Sequence, residues 1–275
     1  MTAATPVSPP PISAASLPPI VTAPLILPGA PRKPHGDITK ATIWLYGEPK
    51  IGKTTFASKF PGVWFMATEP GQDWVETREP TVVKSWVHWL EVCAWISTNN
   101  PTTFGDGTPI RTICIDTYTL LFKFCNDQVC KEMGVSDPGE IPHGGGWGRL
   151  TKEFERVMSK VVMWPYGFIL VSHGRQREFK TKGRKLDRFE PDIGAAGMRW
   201  ANASADIILY AHVNEKTVFN DKGDVVGIEE SRMLACHPTA MAVAGGRMSD
   251  LLPAVIPMDY DAFVSYFSTP KGLPK

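Results

Sequence analysis

The sequence predicts an α/β fold, a mainly parallel sheet covered by helices with a small antiparallel addition at its C-terminal end. Three observations lead there. From Asp37 to about residue 211, short apolar runs alternate with stretches of helical periodicity. A strand followed by a helix and then another strand pairs in parallel, with the helices lying on the faces of the sheet. The first apolar run leads straight into GEPKIGKT, a glycine-rich turn that opens a helix. Beyond residue 212 the helical stretches give way to short strands and a turn.

Taken in order, the run 41–46 (ATIWLY) reads as a buried strand and 53–60 as the helix after it. The run 63–67 (VWFMA) is a second strand. Over 83–98, Trp86, Trp89, Leu90, Cys93 and Ile96 fall on one helical face. A third strand, 112–116 (TICID), precedes a helix that turns Leu120, Leu121, Phe124 and Cys125 inward. Residues 134–148 are rich in Gly and Pro and read as a loop. Its Gly144, Gly145, Gly146 and Gly148, with Trp147, form either a mobile element or a flexible connection. Leu150, Phe154, Val157, Met158, Val161 and Val162 make a further amphipathic helix, ended by Pro165. The runs 167–172 (GFILVS) and 205–211 (ADIILYA) are the fourth and fifth strands. Segments 217–219, 225–228 and 232–235, with a turn at 221–223, read as antiparallel strands.

Residues 1–36 are rich in Pro, Ala and Ser, without a 2.0 or 3.6 period, and are expected to be a disordered or extended tail. Residues 37–275 are expected to form one domain. With 43% hydrophobic and 21% charged residues and a formal net charge of +1, the composition is that of a soluble globular protein. The sequence has no run of about 18 apolar residues that would span a membrane and no secretory signal pattern. Five cysteines without CxxC spacing argue against a disulfide framework or a zinc site and for a reducing cytoplasm.

The motif Gly47-Glu48-Pro49-Lys50-Ile51-Gly52-Lys53-Thr54 fits G-x-x-x-x-G-K-[ST], with Thr55 directly after it. Its glycines let backbone N–H groups turn toward phosphates, and the positive end of the next helix adds to the attraction. Lys53 is expected to reach the β- and γ-phosphates of ATP, its side chain facing solvent when no nucleotide is bound, and the Thr54 hydroxyl to bind Mg²⁺. Asp116, closing the third strand, is expected to hold Mg²⁺ through water; a helix N-cap is the other reading. Glu69 follows the second strand, at an end that opens on the ligand crevice of α/β sheets, and is the candidate to polarise the attacking water. Otherwise it is a loop acid before Pro70. His173 closes the fourth strand and either senses the γ-phosphate or is a locally bonded neutral histidine.

These segments, GEPKIGKTT, ATEPG, ICIDT, LVSHGRQRE and DRFEPDIGAAGMRWANASADIIL, together with the ending AGGRMSDLLPAVIPMDYDAFVSYF, resemble the RecA-like phage AAA-type ATPases that include the Sak4-type single-strand annealing proteins. The resemblance runs over about 37–268 and implies a RecA-like P-loop fold. It puts the catalytic glutamate at Glu69, the nucleotide-responsive polar residue at Ser172–His173, and a mobile DNA-binding loop after it. The ending carries Gly245-Gly246-Arg247 where a further basic residue near Arg247, in an inter-subunit role, is the group's pattern. The resemblance also implies a homo-oligomer, ring or filament, and a single-strand-binding protein as a further partner.

From Arg175 to Arg188, seven cations (Arg175, Arg177, Lys180, Lys182, Arg184, Lys185, Arg188) face two carboxylates in a chain of net charge +1. Such a concentration suits phosphate contacts to nucleic acid, with Phe179 and Phe189 available for stacking on bases. A solvated charged face is the plain alternative. The expected function is an ATP-hydrolysing, single-stranded-DNA-binding protein of recombination or annealing, with DNA and RNA not distinguished. The rivals are a nucleoside or nucleotide kinase, with 175–188 as its lid, and a nucleotide-binding scaffold without turnover.

Overall fold

The structure, a computed structural model, describes residues 36–181, 184–220 and 222–268. Residues 1–35, nearly all of the expected tail, lie outside the described residues. Strand β1 (Thr42–Gly47) is buried along its whole length, because β5 (Gly167–Thr181) and β7 (Ile207–Phe219) pair with it on both sides. A strand covered on both faces is apolar throughout, which is why ATIWLY shows no polar alternation. Its side chains still alternate between two cores. Ile43 and Leu45 meet Phe56 and Ala57 of α1 (Lys53–Ser58) and Phe263 of α6 (Tyr260–Ser268). Trp44 and Tyr46 meet the second core. That core is filled by Trp86 and Trp89 of α2 (Trp86–Asn99), Leu121 of α3 (Tyr118–Met133), Phe154 of α4 (Gly145–Val161) and Trp200 of α5 (Ala195–Ser204). The result is three layers, helices–sheet–helices.

The remaining strands are β2 (Val63–Ala67), β3 (Thr81–Val82), β4 (Thr112–Asp116), β6 (Arg184–Pro191), β8 (Val225–Ala235) and β9 (Val255–Pro257). Along the sheet the order is β3-β2-β4-β5-β1-β7-β8-β9, with β6 pairing off β5. Every pairing from β3 to β7 is parallel. The pairings of β8 and β9 are antiparallel. This is the mainly parallel sheet with an antiparallel end that the sequence predicts.

Several expectations need correction. The segment after the fourth strand is no loop. β5 continues past residue 172 to Thr181 and returns as β6, a two-stranded ribbon. Its charged residues are compatible with strand structure because a ribbon outside the sheet can face water on both sides. For the same reason β7 runs beyond 211 and pairs with β8 as one long hairpin instead of separate short strands. The expected turn residue Asp221 lies outside the described residues. The Gly-rich stretch 144–148 is mostly the first turn of α4. A Cβ on Gly146 would stand 2.2 Å from the Pro138 carbonyl oxygen, so this glycine serves close packing, not mobility. The short strands β3 and β9 carry too few residues to show a period.

Candidate functional site

The ends of β1, β2 and β4 and the middle of β5 converge beside the start of α1. β1 delivers Gly47, whose neighbour in register on β7 is Ala211. A Cβ at Gly47 would lie 2.4 Å from the Ala211 carbonyl oxygen, so no larger residue fits where strand becomes loop. Lys50 takes a left-handed backbone (φ 65°), and Gly52 (φ 102°) caps α1 with no side-chain hydrogen bond. The N-cap residue therefore offers the first N–H groups of that helix no side-chain cap.

Lys53 departs from its expected solvent-facing position. It is 6% exposed, and its Nζ donates to the carbonyl oxygens of Gly47 (3.0 Å) and Glu48 (2.6 Å). The ammonium is thus held by the carbonyls of its own loop. Burial pulls its pKa below the ordinary lysine range, while Asp116, Glu69 and Glu48 pull the other way. Asp116 is 3% exposed, and burial pushes its carboxyl above the usual range. The Thr54 hydroxyl donates to its Oδ2 at 2.7 Å and opposes that shift, while the charge of Glu69 adds to it. The N-cap reading of Asp116 fails: the cap of α3 is Thr117, whose side chain accepts from Leu120 N. β4 does not adjoin β1, since β5 lies between them, yet the strand ends bring Asp116 to Thr54.

His173 sits level with Gly47 across the β1–β5 pairing. Its Nε2 is 3.6 Å from Glu69 Oε2, with both side chains about one-third exposed. Its backbone N–H donates to Thr119 Oγ1 at 3.2 Å, and its buried Nδ1 has no hydrogen-bond partner among the described residues. Glu69, Lys53, Thr54, Asp116 and His173 are therefore gathered in one crevice. Two neighbours escaped the sequence reading. Gln72, 4% exposed, donates from Nε2 to Asp116 Oδ2 at 3.2 Å. Arg232 of β8 brings Nη1 to 3.0 Å from where a Cβ on Gly52 would stand, and with Glu48, Lys50, Val213 and Glu230 it lines a cavity of about 360 Å³. Neither belongs to a motif; only the pairing of strands brings them in.

The ribbon starts one residue beyond His173. Strand alternation puts Arg175, Arg177 and Arg188 on one face together with Glu190, while Glu178, Lys185 and Asp187 share the other. Glu190, 7% exposed, accepts from Arg175 Nη2 at 2.8 Å and lies 3.5 Å from Arg177. Arg175 also meets Asp192 at 3.3 Å, and Lys185 meets Glu178 at 3.2 Å. Arg177 stands directly opposite Arg188, whose buried Nε has no hydrogen-bond partner among the described residues. Lys182 and the side chains of Lys180 and Arg184 lie outside the described residues. Arg247 is engaged within the chain, donating to Asp206 Oδ1 at 2.9 Å and to the Ala203 carbonyl.

A phosphate-binding turn between the central strand and its helix, backed by a buried carboxylate hydrogen-bonded to the threonine of that turn, is the construction of a P-loop nucleoside triphosphatase. Residues 39–248 match a family described as an AAA domain, and the chain belongs to that family of P-loop ATPases. No curated protein matches the sequence. Among 136 matching chains of solved structures is the KaiC-like protein from the hyperthermophilic archaeon Pyrococcus horikoshii OT3. It is 13% identical, with a TM-score of 0.36, and the match covers 71% of this chain and 78% of that one. No helix among the described residues is long and apolar enough to cross a membrane.

Proposed function

We propose that the chain binds and hydrolyses ATP with Mg²⁺ and grips single-stranded nucleic acid on the β5–β6 ribbon, the role implied by the likeness to Sak4-type annealing ATPases. The observation that carries this reading is the continuity of β5: one strand bears His173, against Glu69 in the crevice, and then the arginine face of the ribbon. Gly47, Glu48, Lys50, Ile51, Gly52 and Thr55 surround the phosphates with backbone donors, Pro49 shapes the loop without donating, and Lys53 leaves the carbonyls of Gly47 and Glu48 to meet them. Thr54 and Asp116 offer hard oxygen donors within 2.7 Å of each other, a donor set that suits Mg²⁺. When bound, the ion neutralises charge on the phosphate oxygens. Glu69 takes the proton of the attacking water at its carboxylate. His173, beside that carboxylate, reports its state along β5. Residues 37–275 act as one ATPase domain in the cytoplasm, as a homo-oligomer working with a single-strand-binding protein.

On the ribbon, like charges oppose one another at Arg177–Arg188. Such a pair repels unless anions offset it; Glu190 supplies one carboxylate on this face, and a phosphate backbone supplies more. Single-strand binding is tested on Arg177→Ala/Arg188→Ala by salt titration. Affinity should fall about equally for every base sequence, because phosphates carry no base identity. The slope of log affinity against log salt should shrink by about 0.7 for each lost contact. An unchanged slope would make the ribbon a solvated charged face. Transfer of phosphate to a nucleoside, in place of release of inorganic phosphate, would replace the reading by a kinase.

A further inference from the structure

Gln72 is among the few polar side chains that the fold buries, at 4% exposure. Its carboxamide nitrogen donates to Asp116 Oδ2 at 3.2 Å, and its oxygen receives the Gly71 N–H at 3.3 Å. The same Oδ2 takes the Thr54 hydroxyl. One oxygen of Asp116 is thus shared between α1 and the segment that follows β2. Glu69 lies on that segment between two anchors. The first is Thr68, whose N–H donates to the Asp116 carbonyl at 2.8 Å and whose hydroxyl bonds both the carbonyl and the N–H of Thr117. The second is Gln72. Both anchors grip Asp116 at the end of β4, Thr68 through the main chain of Asp116 and Thr117 and Gln72 through the Asp116 carboxylate.

The side-chain chemistry at position 72 is narrowly set by its surroundings. The charged groups around the Asp116 carboxylate are Lys53 from α1 and Glu69 from the span itself, with His173 of β5 beyond Glu69. A glutamate in place of Gln72 would set a second carboxylate against Asp116. A lysine would neutralise Asp116 and compete with a bound cation. A neutral donor of this length holds the carboxylate while leaving its charge intact. We propose that Gln72 is a positioning residue that ties the Glu69 segment to Asp116, so that the water-polarising carboxylate and the metal-holding carboxylate keep one fixed relation. The proposal rests on the roles given to Glu69 and Asp116 above.

The test is Gln72→Met in the full chain. Methionine fills nearly the same space and donates no hydrogen bond, which separates packing from tethering. Turnover should fall by about 10- to 100-fold, the scale of a misplacement of about 1 Å. The KM for ATP should stay within about two-fold, because the phosphate loop is untouched. Amide hydrogen exchange over 69–75 in the nucleotide-free protein should become faster, a readout independent of turnover. Should the methionine variant fail to fold, Gln72→Asn, which keeps the donor but draws it back by one methylene, serves for the same measurements with a smaller loss. Wild-type turnover in either folded variant, or a loss confined to KM, would overturn the proposal. If Glu69→Gln and Asp116→Asn also leave turnover intact, the underlying reading of the site has failed. If they abolish it while Gln72→Met does not, only the tether has failed.

Discussion

Lys53 and Asp116 of the crevice are 6% and 3% exposed, and each is held by named partners. On the ribbon, the side chains of Arg175, Arg177 and Lys185 are 43%, 58% and 69% exposed; Lys185 pairs with the exposed Glu178, whereas Arg175 and Arg177 reach down to the buried Glu190. A buried charge is costly unless its neighbours compensate it, so each residue of the crevice constrains the next. An exposed ion pair such as Lys185–Glu178 contributes roughly 0–1 kcal/mol and is screened by salt, so its loss costs the fold little. The crevice stores its electrostatics in buried geometry; the ribbon carries its cations at the surface.

The largest effect should come from Lys53→Ala. It removes the buried cation and leaves the carbonyls of Gly47 and Glu48 without their donor. ATP affinity should fall on the order of 100-fold or more, the scale for deleting one member of a buried charged contact. Titration with a fluorescent ATP analogue measures this, and near-wild-type affinity would falsify the phosphate role of Lys53. Glu69→Gln comes next. Hydrolysis should drop about 10²-fold with ATP still bound, the usual contribution of a positioned base. Single-turnover kinetics separates the two steps, and an unchanged rate would mean that another group serves the water.

Asp116→Asn should act on stability in the opposite direction from function. The folded chain holds the Asp116 carboxyl above its ordinary pKa, so across the window from the ordinary value to the raised one the folded state binds more protons than the unfolded state. Wild-type stability therefore falls as pH rises through that window, and the penalty persists above it. At neutral pH the nucleotide-free asparagine variant should melt higher, by about 2–4 °C for each kcal/mol recovered, while its Mg²⁺-dependent nucleotide binding weakens. A lower melting temperature would contradict the assignment of burial as the dominant effect. The smallest change is expected on the ribbon. Glu190→Gln removes one carboxylate from the arginine face, so single-strand affinity should rise a few-fold and the salt slope steepen by up to about 0.7. No change in slope would show that Arg175 and Arg177 do not reach the nucleic acid.

The same contrast accounts for what could be read from sequence. The phosphate loop was readable because its chemistry demands consecutive residues, and β1, β2, β4 and the start of β5 because strands buried on both faces leave apolar runs. Glu69, Asp116 and His173 follow from those runs, since each stands at or just beyond the end of one. Gln72 and Arg232 were not readable. Gln72 reaches Asp116 across a gap of 44 residues, and Arg232 meets Gly52 only because β8 lies next but one to β1 in the sheet. The resemblance implies a loop after His173, whereas the alternation that sorts Arg175 and Arg177 from Gln176 and Glu178 is that of a strand. Lys53 also differs from its expected solvent-facing position, because the carbonyls of Gly47 and Glu48 offer its ammonium buried acceptors that the sequence pattern does not reveal.

The long β5 has a mechanical consequence. Its lower half is clamped between β4 and β1, while the portion from Gly174 onward pairs with β6 alone. From His173 to Thr181 that free portion extends about 26 Å at about 3.3 Å per residue. A beam held at one end and loose at the other magnifies small rotations at its support: a tilt of about 5° at His173 would sweep the far end through about 2 Å over such a length. An event too small to disturb the packed core, such as a shift of Glu69 against the histidine ring, would thereby be enlarged into a displacement comparable to a hydrogen-bond length at the ribbon's tip.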